Sequence, residues 1–430
     1  MRYLLFALLT LCAVSAPAVA APIEIRAPGQ QTISLALTSF LPQGGPVAAD
    51  IAREINEVLT FDLELTGLFS FVDPAAFLSD AQRLGLNSAE VDFNQWQLLG
   101  SEVVIKGAYR MEGGQLILEA RLFDVVNRRM LTGRRFVGTR QDLRRMTHRF
   151  VDQVLKDLTG KAGPFDSRIA YISNASGHKE LYLMEVDGHN AVRLTNHRGI
   201  VLNPDFAPGG RELLFTSYKA GNPDLYRKDI ASGREVPLSA RPGLNISGRY
   251  SPDGRQVAAT LSHVGNPELF LLGTDGSLGR RLTDHWGIDV DASWSPKGDQ
   301  IAFVSDRLGN PHIFIVGVGG GAPRRLTLNG RYNATPAWSP DGDRIAFSRM
   351  EGSQFDIYTI KPDGSDERRL TFGPGTKEHP RWSPDGRFLV YSSDQGGSNA
   401  IYIMRADGTG NRRISAGGGS CQHPAWSGPW

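Results

Sequence analysis

His379 and His423 stand 44 residues apart, and Asp291 falls on the same grid two steps earlier. Two imidazoles and a carboxylate at equivalent points of a repeat, with Glu378 beside the first, are the residue types that could hold a divalent metal or exchange protons. Equivalent positions do not make side chains converge, however, and across a channel mouth they are expected to stand too far apart to share one ion. The sequence also contains no Gly-x-Ser-x-Gly elbow and no His-Glu-x-x-His helix, so it offers neither an activated nucleophile nor a zinc-bound water. No catalytic residue, metal site or cofactor is expected.

The elements that must position these residues are written in the spacing. A strand of the Ile-Ala-Phe-Val-Ser type begins at Ile169, Leu213, Val257, Ile301, Ile345 and Leu389, each 44 residues after the last. An aromatic keeps the same step at Phe206, Tyr250, Trp294, Trp338, Trp382 and Trp426, mostly followed by Ser-Pro-Asp-Gly or a close variant. A period of about 40 to 45 residues with several short strands per unit reads as propeller blades. In the unit opening at Trp338, Pro340-Asp341-Gly342 is a tight turn, Ile345 to Ser348 and Asp356 to Ile360 are strands, and Arg368 to Thr371 is the outer strand, its arginines suited to an exposed edge. Pro164 precedes Ile169 by the same five residues as Pro384 precedes Leu389. The array therefore starts inside a turn, and the strand ending at Trp426-Ser427 is expected to complete the first blade and close the ring. The recurring aromatics are expected to pack between blades.

The two ends of such a ring differ. Turns such as Pro252-Asp253-Gly254 and Asp407-Gly408 are short and uniform. The segments entering the aromatic strands vary, and they are expected to ring the channel mouth with a different group from each blade. Asn245, Asp289, Asp291, Tyr332, Asn333, Glu378, His379 and His423 are the candidate partner-binding residues there, because a constant scaffold with changing side chains is how a recognition surface is built.

Residues ahead of the repeats follow another grammar. Thr32 to Leu37 alternates as a strand, Ala48 to Leu65 carries Ile51, Ile55, Val58, Leu59 and Leu63 at helical spacing, and Phe69 to Val72 is a second strand. A meander runs from Val103 through Leu116–Phe123 and Met130–Val137. Leu143, Met146, Phe150, Val151, Val154 and Leu158 then stripe a last helix behind Asp142, with Gly160 to Gly163 as stop and hinge. The first 20 residues read as an export signal: Met1-Arg2, an apolar run from Tyr3 to Val14, and Ala18-Val19-Ala20. Cleavage would leave a mature chain with no transmembrane segment and Cys421 as its one cysteine, so no intrachain disulfide is expected. The fold class is thus two-domain: signal peptide 1–20, a small α/β domain with an extended arm over 21–160, and a six-bladed β-propeller over 161–430. Lys plus Arg is 47 against 45 for Asp plus Glu, a balance that gives no electrostatic footprint for nucleic acid.

Taken together, the export signal, the small α/β domain, six blades built on Trp-Ser-Pro-Asp-Gly and Asp-Gly turns, and the ending Pro424-Ala425-Trp426-Ser427 resemble the TolB family over essentially the whole mature chain. The resemblance implies a non-enzymatic periplasmic adaptor of the Tol-Pal system, which supports outer-membrane integrity and envelope constriction in cell division. It implies that the lipoprotein Pal docks at the propeller mouth and that the N-terminal arm, here Ile23, Glu24, Ile25 and Arg26, contacts TolA by adding a strand to a partner sheet. Arg26 stands where the family pattern has an aspartate. The other readings of the same features are a glycan- or peptidoglycan-binding propeller and, further off, a hydrolase.

Overall fold

The computed structural model describes residues 32–44 and 48–429. The export signal and the arm residues Ile23 to Arg26 lie outside the described residues.

The N-terminal elements are β1 (Ile33–Leu37), β2 (Leu41–Pro42), α1 (Ala49–Thr66), β3 (Phe69–Phe71), α2 (Phe93–Leu98), β4 (Val103–Glu112), β5 (Gln115–Asp124), β6 (Arg129–Gly138) and α3 (Leu143–Thr159). They form a sheet of order β3-β1-β4-β5-β6, with β2 pairing on β4. The pairing of β1 with β3 and β4 is parallel, and β4 to β6 are an antiparallel meander. Alternation along the strands sends Leu35, Val103 and Ile105 toward the buried stripes of α1 and α3, and Ala36, Val104 and Phe123 toward Trp96 on α2. Trp96 Nε1 and Lys106 Nζ converge on Asp80 Oδ2 at 2.7 and 2.9 Å, so the buried carboxylate has two donors.

Six four-stranded antiparallel sheets follow, each with its aromatic strand first in order, and in five of them the last strand carries arginine, Glu235–Ser239 being the exception. The inner strands of blades one to six are Val201–Phe206, Asn245–Tyr250, Asp289–Trp294, Asn333–Trp338, Lys377–Trp382 and Cys421–Trp426. Each touches its two neighbours, so together they encircle the axis. Cys421–Trp426 pairs antiparallel with Arg168–Ser173, the second strand of blade six, and closes the ring as the sequence requires.

The propeller and the α/β part share one hydrophobic core: Leu59, Leu63 and Leu65 of α1 belong to the same buried cluster as Phe388, Ile401 and Ile403 of blade five. The C-terminal end of α1 is finished by the propeller. Arg405 donates from Nε to Leu65 O at 2.8 Å and from Nη2 to Glu64 O at 3.0 Å, placing a cation on carbonyls that a helix end leaves unpaired. Gly67 takes a left-handed φ of 68° there, and a Cβ on it would come within 2.5 Å of the Arg405 guanidinium carbon. Arg387 binds Thr159 Oγ1, and Lys161 reaches Asp341 at 3.0 Å. The α/β part therefore sits at the end of the propeller where the Pro-Asp-Gly turns lie, and the variable segments face away from it.

Candidate functional site at the two ends of the channel

The segments entering the aromatic strands are strands rather than loops. Each inner strand carries a bulge between its second and fifth residues, and the third residue adopts a left-handed conformation in every blade. Asn203, Ser247, Asp291, Thr335, His379 and His423 have φ between 50° and 59°. The bulge turns these six side chains onto one ring around the axis. Asn203 Nδ2 donates to Ser247 Oγ at 2.8 Å, Ser247 Oγ to Asp291 Oδ1 at 3.0 Å, and Asn203 N to His423 Nδ1 at 3.2 Å.

The bulge also corrects part of the expected mouth. Asn245, Asp289 and Asn333 open their strands and are fully buried, their side chains held within and between blades instead of facing the opening. Asn245 accepts from Ser239 Oγ and donates to Arg241 O, Asp289 pairs with Arg307 at 2.7 Å, and Asn333 accepts from Arg349 Nε at 2.9 Å. These side chains are spent on blade integrity. Asp291, His379 and His423 do reach the ring, and the two imidazoles lie 4.1 Å apart by their centroids. Burial, then the cations Lys179, Arg381 and Arg249, push His423 down to about 3. Burial, then His423 and the same arginines, hold His379 well below the ordinary histidine value, so both rings are neutral at pH 7. Glu378 is half-buried beside them, its carboxyl pushed up by burial and by Asp394. Tyr332 is partly exposed, edge-on to Phe355.

What the sequence reading did not single out at this end is a rim of exposed apolar side chains. Trp286, Leu328 and Phe372 are 73%, 74% and 67% exposed, and Ile200, Ile288 and Leu308 stand out beside them. All six lie on segments at the variable end, either entering an inner strand or joining second and third strands. Their runs are polar overall, so no periodicity marked them.

At the opposite end a cavity of about 390 Å³ opens among the Pro-Asp-Gly turns. Phe206, Tyr250, Trp294, Trp338, Trp382 and Trp426 line it, and Asp205, Arg249 and Arg381 lie among them. The aromatics do bridge blades, since Trp294 Nε1 donates to Arg249 O at 3.0 Å and Trp382 Nε1 to Ala337 O at 2.9 Å. Beyond that packing role, they wall a cavity.

A third charged centre joins the two parts of the molecule. His148 on α3 has Nδ1 2.7 Å from Asp62 of α1 and Nε2 3.4 Å from Asp187 of blade six. Among the described residues, His148, Glu185 and Asp187 are the trio whose ligand atoms lie close enough to share a metal, within 4.8 Å. Arg144 already pairs with both carboxylates of that trio, at 3.2 Å to Glu185 and more tightly to Asp187, which makes the centre an ionic cluster with its own cation. The helical stripe of α3 hid it, because Arg144 and His148 fall between apolar residues in sequence.

These features define a six-bladed propeller, closed by its last strand, with an α/β domain fastened to one end and a ring of unlike side chains at the other. The model of the TolB beta propeller domain matches residues 155–429, and that of the TolB amino-terminal domain matches 21–131. The chain belongs to the TolB family. It is 65% identical over 214 residues to the Tol-Pal system protein TolB of Syntrophotalea carbinolica, covering 50% of each chain. To that of Geobacter sulfurreducens it is 46% identical over 190 residues, covering 44% of this chain and 43% of the other. The chain spans about half the length of the curated relatives it matches. The crystal structure of TolB from Acinetobacter baumannii superposes with a TM-score of 0.81 at 25% identity, over 93% of this chain and 97% of that one. No helix among the described residues is long and apolar enough to cross a membrane.

Proposed function

We propose that this chain is a periplasmic adaptor of the Tol-Pal system, exported by residues 1–20 and built from units at 21–160 and 161–430. The lipoprotein Pal docks on the variable end of the propeller. The arm around Ile23 to Arg26 recruits TolA, and the two contacts together support outer-membrane integrity and constriction during division. The family supports the system, and one observation supports the surface: Trp286, Leu328 and Phe372 stand exposed around the channel end that the α/β part leaves free. Exposed apolar groups clustered at one face mark an interaction site, and aromatic anchors carry most of the energy of such interfaces. The neutral imidazoles of His379 and His423 inside this rim give a partner uncharged polar groups to meet, at little desolvation cost.

Calorimetric titration of the mature protein with the soluble domain of its cognate Pal tests the reading. Saturable binding that weakens in a folded Trp286→Ala/Phe372→Ala variant is the expected result. Absence of binding by the wild type would overturn the adaptor role, and equal binding by the variant would move the site off this face.

A further inference from the structure

The repeat supplies its own control for the cavity at the turn end. The fifth residue of the inner strand is Ser293, Ala337 and Ala425 in three blades, and Asp205, Arg249 and Arg381 in the other three. The backbone geometry is the same in all six, so a small side chain is all that the blade requires there. Placing charge at this point costs desolvation that the fold does not demand. Arg249 is partly compensated by Asp205 at 3.7 Å and Pro204 O at 3.0 Å. Arg381 donates from Nη1 to Pro380 O at 3.0 Å, and among the described residues no carboxylate lies within ion-pair distance of it. Burial, then Arg249, pushes the Arg381 guanidinium down to about 9, and the more distant carboxylates of Asp205 and Asp291 offset this only in part.

Around these guanidinium groups the walls are apolar. Trp338 and Trp382 line the cavity together with Pro296, Pro340 and Pro384, one proline from each turn. A small hydrated anion would satisfy the arginines and leave those walls bare. At about 390 Å³ the cavity is at the small end of the roughly 300 to 1,000 Å³ typical of ligand pockets, which suits one ringed group and excludes an extended chain.

We propose that this cavity binds an organic carboxylate carrying a flat apolar body, the carboxylate on Arg381 and Arg249 and the body against the tryptophan and proline walls. Planar guanidinium groups match a carboxylate by paired hydrogen bonds, and aromatic walls supply area without demanding a hydrogen-bond pattern. The ligand is either a small free acid or the C-terminal residue of a peptide. The site is at the opposite end from the Pal face, so both can be filled at once.

Titration of the whole mature protein, followed by tryptophan fluorescence, with N-acetylphenylalanine, its neutral amide, and Gly-Gly-Phe with free or amidated carboxyl tests the assignment. The free acid is expected to perturb the tryptophans saturably, and the amide to bind at least about tenfold more weakly. Tighter binding of free-carboxyl Gly-Gly-Phe than of N-acetylphenylalanine identifies a peptide terminus as the source, and the reverse order a small acid. Arg381→Gln should lose the acid by a similar factor without loss of melting temperature. A second variant leaves both arginines in place. Asp205 Oδ2 accepts from Tyr250 N at 3.0 Å just as Ser293 Oγ accepts from Trp338 N at 2.9 Å, so Ser293→Asp fits the strand and supplies the missing counter-charge. It should abolish acid binding in a fully folded protein. Equal binding of acid and amide, no response to any probe at about 10 mM, or full affinity in Ser293→Asp would overturn the proposal.

Discussion

His148 Nδ1 lies 2.7 Å from Asp62 Oδ2 with both side chains sealed from solvent, and the far side of the same imidazole faces Asp187 of the propeller. One ring thus joins α1, α3 and blade six. Burial alone would push the imidazolium down, but Asp62 and Asp187 hold its pKa well above the ordinary histidine value. Burial raises Asp62 to about 6 in spite of its partner, and Asp187 is held far below the carboxylate range by His148 and Arg144 against its own burial.

The linkage fixes a sign. A histidine whose folded pKa is raised binds more protons folded than unfolded above pH 6.5, so its stabilisation is complete below that value and is lost as pH rises through the folded pKa. His148→Gln should cost about 3 to 5 kcal/mol near neutral pH by leaving buried Asp62 without its cation, while Asp187 keeps Arg144. The gap from wild type should narrow as pH rises through the raised folded pKa of His148, because the wild type sheds the same proton there. Thermal melts of both proteins across that range check it, and a gap independent of pH would show that the ring is neutral in the fold.

Lys106 and Asp80 make the second buried pair, at 2.9 Å with side chains 1% and 0% exposed. Lys106→Met strands the carboxylate and should cost about 3 to 5 kcal/mol, while Lys106→Met with Asp80→Asn should recover part of that loss. Urea unfolding of the two variants measures the difference.

The tryptophans divide by environment. Trp294 is buried between blades and donates to Arg249 O, so Trp294→Ala should cost about 3 to 5 kcal/mol. Trp286 is 73% exposed, and Trp286→Ala should change stability by less than about 0.5 kcal/mol. Paired melts separate scaffold from surface.

Thr335 is the β-branched member of the left-handed ring, at φ 50°. Asparagine accepts this conformation more readily, so Thr335→Asn should stabilise by about 0.5 to 1 kcal/mol despite loss of the 2.8 Å contact with Ser348 Oγ. A lower melting temperature would mean that this contact outweighs the backbone strain.

The blades, their closure at Trp426 and the helices α1 and α3 were legible because each rests on a period: 44 residues for the blade, two for the strand, 3.6 for the helix. The bulge was not. Its sign is Pro204, Pro336, Pro380 and Pro424 two residues before the aromatic, with Gly248 and Ala292 in the other blades, which reads as loop until the strand pairing is known. Misreading it sent Asn245, Asp289 and Asn333 to the mouth, although one step along the strand reverses which way a side chain faces. Asp291, His379 and His423 were placed on the axis by position alone. The charges at Asp205, Arg249 and Arg381 escaped notice because nothing local shows that the fifth residue faces the channel. The segment between β3 and α2 has no period, and its short helical turns were not foreseen.

Hydrogen–deuterium exchange of the mature protein, with and without the soluble domain of Pal, tests the central claim most directly, since it reports where a partner sits without altering the chain. Protection confined to segments 284–289, 306–311, 328–333 and 372–377, around Trp286, Leu308, Leu328 and Phe372, is the predicted result. Protection centred instead on the turns at 208–210, 252–254, 296–298 and 340–342 would place Pal on the opposite end and contradict the account.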